Sequence, residues 1–279
     1  MKVSYDLSVT TQGPTYPPSE VMNEEGEFVV IGRVNRRIEG EVSGDWGAAL
    51  VSAQSELPLF GEQRPYDVVR DLDLSTGSED IEMVLCTLPL PLPACNYPVV
   101  FAPSQLPDPG RIVRQSSPFH KAIPPDFREC DGLREMSPVT LGDWIGAEGR
   151  VTISLTRNAR FAHFEMEFYG LIPDSLYTVM SLRQTDLDPV RGPSRPGPLG
   201  IPNVLITDAK GNGRLWAELR NPFPPIDDVN SNRIINVILL WMSTRMSNGG
   251  ALGIHGLGGD VHAQLKLQGP GFFELTTVE

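Results

Sequence analysis

The chain predicts an all-β fold: an antiparallel β-sandwich of jelly-roll or immunoglobulin-like type, with a β-rich N-terminal half packed against it. Three observations carry this. Short runs that alternate between apolar and polar residues recur at regular spacing from about Thr140 onward, the period-two pattern of half-buried strands. Glycine (27) and proline (26) together approach a fifth of the 279 residues, as short strands joined by turns require. No long stretch with a helical period competes. A hydrophobic content of 40% supplies a core for one large or two modest domains.

The elements follow in order. Residues 1–26 hold one strand-like stretch, KVSYDLSVTT, and then a polar, Pro-rich arm. Residues 27–139 form the β-rich N-terminal half. FVVIGRVNRRIEGEV (28–42) reads as a strand pair, and GAALVSAQSE and IEMVLCTLPL continue as strands. From 89 to 125 prolines recur every few residues, and each removes a ladder donor, so this segment is expected to wrap a surface as extended chain. A short helix is expected near DGLREM or TLGDWIGAEG. Residues 140–279 form the sandwich domain, with strands in GRVTISLTRN, FAHFEMEFYGL, LYTVMSLRQ, PNVLITDAKGNGRLWAELRN, RIINVILLWMS and DVHAQLKLQG. DAKGNG (208–213) is a hairpin turn, where Gly supplies positive φ and Asn tolerates it; LIPD is a turn with the φ of Pro173 preset.

Composition excludes several classes of function. A formal charge of −12 repels phosphate backbones and anionic bilayers, so neither nucleic acid nor membrane is expected as a partner. The longest apolar run, VILLWM (237–242), is far too short to span a bilayer. No charged start followed by an apolar stretch marks a signal peptide, which leaves a cytoplasmic or a processed secreted form. Three cysteines, Cys86, Cys95 and Cys130, with no CxxC pair argue against a zinc site. Buried free thiols are expected; the alternative is that Cys86 and Cys95, which flank TLPLPLPA, would pair across a hairpin if the compartment were oxidising. No GxSxG, P-loop or dinucleotide fingerprint is present, Cys130 and His120 lack an orienting third group, and no cofactor is expected.

The candidate site comes from face-by-face alternation. In RFAHFEMEFYGLIPDSLYTVMSL (160–182), Ala162, Phe164, Met166 and Phe168 share one face while Phe161, His163, Glu165 and Glu167 share the other. By the same rule Arg214, Trp216, Glu218 and Arg220 oppose Leu215, Ala217 and Leu219. Tyr177 and Arg183 oppose Leu176, Met180 and Leu182. Asp260, His262, Gln264 and Lys266 oppose Val261, Ala263 and Leu265. One face is thus apolar and the other polar but studded with aromatics. A solvated outer face is the plain explanation. Against it, Trp216 and Tyr177 are large apolar surfaces to leave wet, and INVILLWM (235–242) is apolar on both faces, so something covers it. The first half is the candidate cover. A crevice between the halves is then the expected ligand site, with His163, Glu165, Tyr177 and Arg183 as catalytic candidates and Trp216, Trp241, Arg214 and His262 as ligand-binding candidates.

Three further patterns bear on function. His163, His255 and His262 all fall in the second half, but their spacing does not require convergence, and no residue is assigned to a metal. DLDLSTGSEDIE (71–82) places Asp71, Asp73, Ser75 and Glu82 at calcium-loop positions, yet Thr76 stands where that loop needs Gly, so an acidic surface turn is expected. The loop LDPVRGPSRPGPLGIP (187–202), with Arg191 and Arg195, is either a lid or a surface loop.

The stretches TLGDWIGAEGRVTISL, FYGLIPDSLYTVMSL, LITDAKGNGRLWAEL and DVHAQLKLQGPG resemble a mostly uncharacterised group of bacterial and fungal β-sandwich proteins that share a G-L-x-P-x-x-x-Y-T turn, a D-A-x-G-x-G hairpin and a late H-x-x-L strand. The resemblance covers roughly the last half of the chain and implies a fold more than an activity. A looser similarity links it to the Cu/Zn superoxide dismutase and chordin-repeat sandwiches. The dismutase's H-x-H copper ligands are absent here, so that activity is not implied.

Two functions fit. One is a cofactor-independent cyclase, isomerase or lyase of secondary-metabolism type, acting on an apolar, partly oxygenated small molecule between the two halves. His163, Glu165, Tyr177, Arg183, Trp216 and Trp241 are the residue types such pockets use, and the balance leans slightly this way. The other is a non-catalytic β-sandwich module that binds a small molecule, glycan or protein.

Overall fold

A computed structural model describes residues 1–13, 18–58, 62–89, 113–122, 136–187, 196–226, 232–251, 256 and 258–278. Strand accounts for 44% and helix for 8%, so the chain is all-β. The strands are β1 (Lys2–Val9), β2 (Phe28–Ile38), β3 (Glu41–Val51), β4 (Val68–Asp71), β5 (Glu148–Thr156), β6 (Phe161–Tyr169), β7 (Leu176–Arg183), β8 (Gly197–Pro198), β9 (Val204–Ile206), β10 (Gly213–Arg220), β11 (Ile234–Met242) and β12 (Val261–Lys266). One helix, α1 (Leu141–Ile145), precedes β5. Nine strands form one sheet in the order β10-β6-β5-β1-β12-β11-β7-β8, with β9 also paired to β7; β2, β3 and β4 form a second. Both sheets are antiparallel, and the large one curls into a half-barrel. Nine strands in one continuous curled sheet leave the jelly-roll or immunoglobulin-like detail unsupported.

Local chemistry explains the connections. The β2–β3 hairpin turns on Glu39 and Gly40, with φ of 50° and 92°, the two-residue turn with positive φ that matches strand twist. Residues 208–213 do turn, with Gly211 but not Asn212 at positive φ, yet they do not close a hairpin: β9 pairs with β7 and β10 with β6. Asp208 accepts from the backbone N–H groups of Lys210 and Asn212, each at 2.8 Å, and these bonds hold its carboxyl below the usual range, Asn212 contributing most. Gly211 is required there: its φ is 75° and a Cβ would sit 2.1 Å from the Leu171 carbonyl oxygen. The predicted helix falls within TLGDWIGAEG and starts on a capping box between Thr140 and Asp143. It buries Trp144, whose indole N–H donates to the Thr10 carbonyl at 2.9 Å.

The N-terminal chain stitches the two sheets together. β1 lies between β5 and β12, so the first strand belongs to the same sheet as the C-terminal half. Beyond it Thr10 N–H donates to Gln264 O, and Thr11 N–H to Ile31 O, each at 2.9 Å. The arm is not a solvated tail: residues 10–13 and 18–23 are buried. The main core joins Val151, Ile153, Phe164, Phe168, Tyr177, Val179, Leu239, Trp241 and Leu265 of the large sheet to Val29, Ile31 and Leu50 of the small one. On the outer face of β7, β11 and β12 a separate cluster holds Met180, Ile238, Leu240, Met242, Val261 and Ala263. Every residue of β11 is therefore buried, as its two-sided apolar pattern predicts.

Some expectations change. IEMVLCTLPL contributes a 3-10 turn at Glu79–Glu82 and isolated bridges at Val84 and Cys86 in place of a strand. In the proline-rich segment Phe119 is fully buried, against Trp241 at a centroid distance of 4.8 Å, so the chain plugs the core rather than only wrapping it. Cys86 is a buried free thiol. Cys95, Cys130, His255, Arg191 and Arg195 lie outside the described residues, as does most of DGLREM. Among the described residues no helix is long and apolar enough to cross a membrane.

Candidate functional site

The structure places seven of the eight predicted site residues in two groups on opposite faces and leaves Arg183 apart from both. His163, Glu165, Trp216 and Arg214 stand together on the outer face of β6 and β10, where Trp216 pairs with Glu165 across the strands and the His163 and Trp216 rings stack with centroids 6.0 Å apart. With Arg150, Thr152 and Glu167 they line an open hollow. Trp216 is 71% exposed, and the charges neighbour one another: Arg214 with Glu167 at 3.0 Å, Lys2 with Glu165 at 3.7 Å, His163 with Glu165 at 3.9 Å. Exposed pairs of this kind contribute little energy. The face of His163, Glu165 and Glu167 is therefore a wet outer face.

Tyr177, Trp241 and His262 are buried on the inner side. The expectation that Tyr177 and Trp216 wall one crevice is overturned, because β7 and β10 turn these side chains to opposite faces of the curled sheet. Tyr177 is a post inside the core. Its hydroxyl accepts from Ile172 N–H at 2.9 Å and donates to Gln264 Oε1 at 2.7 Å, and burial pushes its ionisation well above the ordinary phenol range. Trp241 packs on Phe119, Trp144 and His262. Burial holds His262 down to about 4, so it is neutral at pH 7. Its Nδ1 faces the Glu20 carbonyl at 2.6 Å and must carry the proton, and its Nε2 accepts from Ser243 Oγ at 2.9 Å. Arg183 donates through Nη1 to the Asn232 carbonyl at 2.6 Å and braces a loop; burial lowers its ionisation. His163 faces outward from β6 and His262 inward, so these two do not converge. In the 71–82 stretch two of the carboxylates are engaged by arginines, Asp71 with Arg36 and Asp80 with Arg70 at 2.9 Å, while Asp73 accepts from Ser75 N–H at 2.9 Å.

A crevice between the halves exists, and other residues line it. It lies between the β2–β3 hairpin and the outer edge of β11 and β12, encloses ≈ 290 Å³, and is walled by Trp46, Tyr66, Leu182, Ile235, Ile238 and Leu267. Among the described residues its polar lining is Gln12, Arg33, Asn35, Gln63, Asn236, Lys266 and Gln268, with no carboxylate. In a chain of −12 charge this is a local reversal of sign.

The local structure holds each group in place. Gln12 acts as a strand residue by side chain: Oε1 accepts from Arg33 N–H at 2.6 Å and Nε2 donates to Arg33 O at 3.0 Å. Gly32 permits this, since a Cβ there would come 2.1 Å from Gln12 Oε1. Gly44 lets Arg33 and Asn35 lie across β3, where a Cβ would meet Asn35 Oδ1 at 2.4 Å and Arg33 Cγ at 2.7 Å. Arg33 Nε donates to the Gly44 carbonyl at 2.9 Å, and no described residue engages its two terminal amino groups. Asn35 is 5% exposed and its Oδ1 has no hydrogen-bond partner among the described residues.

Lys266 forms the floor. A β-bulge places it there. The register runs Leu239 to Leu265 and then Leu240 to Ala263, leaving Gln264 as the extra residue. His262 and Gln264 stay inward, while Lys266 turns to the face of Ile238. The alternation rule had set Lys266 beside His262; the bulge corrects this. Lys266 Nζ donates to the carbonyls of Gln12 at 2.8 Å and Gly13 at 3.4 Å, and lies 5.8 Å from the Trp46 ring centroid. Burial lowers its ionisation to about 8, nearby Glu20 opposing this and Arg33 adding to it. Glu20 lies behind the floor, accepts from Ala263 N–H at 2.8 Å, and is raised to about 7 by burial.

Sequence reasoning missed Arg33, Asn35 and Trp46, although a signal exists. Reading Glu39–Gly40 as a two-residue turn pairs Ile38 with Glu41 and hence Arg33 with Trp46. Lys266 had no such signal, because the bulge is invisible to a period-two rule. No family model matches the chain, and no curated protein matches it.

Proposed function

We propose that the chain is a non-catalytic binding module whose inter-sheet cleft takes a small organic anion with a flat apolar body. One observation carries this: in an acidic protein, the described residues that line the cleft include Arg33 and Lys266 but no carboxylate, and among them the terminal amino groups of Arg33 have no partner. A guanidinium in that state is a fork for a carboxylate. Trp46 and Tyr66 supply the apolar wall, the volume suits a small molecule, and the amides of Gln12 and Asn236 are already committed to backbone groups, so orientation falls to Arg33, Lys266 and Asn35. A cyclase, isomerase or lyase built on His163, Glu165, Tyr177 and Arg183 has no shared pocket to draw on, since the first two are wet and the last two brace buried structure.

Calorimetric titration with 2-naphthoate and with neutral 2-naphthamide tests the proposal. The acid is expected to bind and the amide to bind at least tenfold more weakly. Arg33→Gln is expected to remove about tenfold or more of the acid's affinity, because a hydrogen bond to a charged group contributes about 1.5–3 kcal/mol. Equal affinities for acid and amide, or no binding of either, would overturn it.

A further inference from the structure

We infer that Lys266 is a covalent capture site: its amine condenses with the carbonyl carbon of an aldehyde-bearing organic acid held in the inter-sheet cleft, forming an imine. This rests on the cleft being the ligand site and adds the substrate class.

Geometry comes first. The chain has four lysines against nineteen arginines. Lys2, Lys121 and Lys210 are exposed; only Lys266 has its amine enclosed, and it lines the cleft. Two of its nitrogen's directions are taken by carbonyl oxygens, those of Gln12 and Gly13 at 2.8 and 3.4 Å. Both acceptors are backbone atoms of a buried arm, so they hold the amine in place without neutralising it. Among the described residues no salt bridge to a carboxylate ties it down. The third direction has no acceptor among the described residues. Trp46, whose ring centroid is 5.8 Å from Nζ, forms the facing wall, and Arg33 stands at the same cleft, its terminal amino groups without a partner among the described residues. A molecule with a carboxylate at one end, a flat middle and an aldehyde at the other meets Arg33, Trp46 and Lys266 in turn.

The charges around the amine favour its reactive form. Removal from water favours the neutral amine and Arg33 repels the cation, while Glu20 alone opposes them. A neutral amine is the nucleophile in imine formation. The step balances: the nitrogen lone pair forms the bond to the carbonyl carbon, the carbonyl oxygen takes both amine hydrogens and leaves as water, and a carbon–nitrogen double bond remains. No oxidant or metal is needed.

A lysine at this place also has a purely structural use, as the tie between β12 and the arm. Substitution separates the two uses, because arginine keeps a donor to the Gln12 and Gly13 carbonyls but forms no imine. The test uses the full chain and 4-formylbenzoate as the probe, with sodium cyanoborohydride to fix any imine, followed by intact mass and peptide mapping. The expected result is one adduct on Lys266, with the exposed lysines labelled at least tenfold less. Capture should be half-maximal near pH 8 rather than above pH 10, should be lost in Lys266→Arg, and should fall about tenfold in Arg33→Gln for 4-formylbenzoate but not for benzaldehyde. Labelling spread evenly over the four lysines, or no adduct while 2-naphthoate still binds, overturns the capture site and leaves the binding module standing. Capture at Lys266 that is equal for 4-formylbenzoate and benzaldehyde keeps the covalent site and removes the anion selectivity. Absence of both adduct and binding removes both.

Discussion

The two sides of the large sheet meet different surroundings. At β10, β6 and β5 the outer face is wet, and Trp216 is 71% exposed there. At β12, β11 and β7 both faces are covered, and Trp241 is 1% exposed. The two tryptophans sit in similar strands of the same sheet. What separates them is the face each points to and what packs on it: Trp216 points outward to solvent, Trp241 points inward, where α1, Phe119 and the N-terminal arm fill the space, and the β2–β3 hairpin reaches part of the outer face of β11 and β12. Alternation fixes which residues share a face; it does not fix which face is covered. The cleft arises where cover begins but stays incomplete, and that is where Arg33, Trp46 and Lys266 gather.

The largest expected effect lies on the covered side. Trp241→Ala should cost about 3–5 kcal/mol in denaturant unfolding, the usual range for removing a large buried aromatic. A loss below about 1 kcal/mol would mean that the aromatic cluster with Phe119, Trp144 and His262 is not the packed centre described.

Titration sharpens the contrast at Glu20. Its ionisation is raised to about 7 from 4.5 by burial, so the folded state binds this proton more tightly than the unfolded state does. The resulting stability is fully present below about pH 4.5 and is lost as pH rises through about 7. Glu20→Gln keeps an acceptor for Ala263 N–H and has no proton to lose. The variant should therefore gain on the wild type between pH 4.5 and 7, by on the order of 2–3 kcal/mol. His262, held down to about 4, acts in the opposite direction over part of that window and is common to both proteins, so it cancels in the difference. Parallel stability–pH curves for the two proteins would contradict the buried placement of Glu20.

The smallest effect belongs to the wet side. Trp216→Ala should change stability by no more than about 0.5 kcal/mol. A loss near that of Trp241→Ala would show that something covers the β6–β10 face after all.

The sequence carries the fold class and most strand positions because both rest on local period and turn chemistry: the DAKGNG turn, the capping box at Thr140 and the two-sided apolar run of β11 are all readable residue by residue. The crevice between the halves was legible for a similar reason, since β11 demanded a cover. Its lining was not. Tyr177 and Trp216 carry the same alternating pattern and point to opposite sides, because the curl of the sheet is a tertiary property. Lys266 was placed on the wrong face because one extra residue at Gln264 inverts everything after it. Arg33 and Trp46 were within reach through the Glu39–Gly40 turn, but only by following the pairing five residues back along each strand.

The central claim is that the ligand site is the cleft at Trp46 and not the outer face at Trp216. The chain has four tryptophans, 46, 144, 216 and 241, and each indole N–H gives its own proton resonance. Following the four signals by NMR during titration with 2-naphthoate places the ligand directly. The Trp46 signal should shift in a saturable manner while those of Trp216, Trp144 and Trp241 stay in place. A saturable shift of Trp216 with Trp46 unmoved would contradict the account and return the site to the His163–Glu165 column.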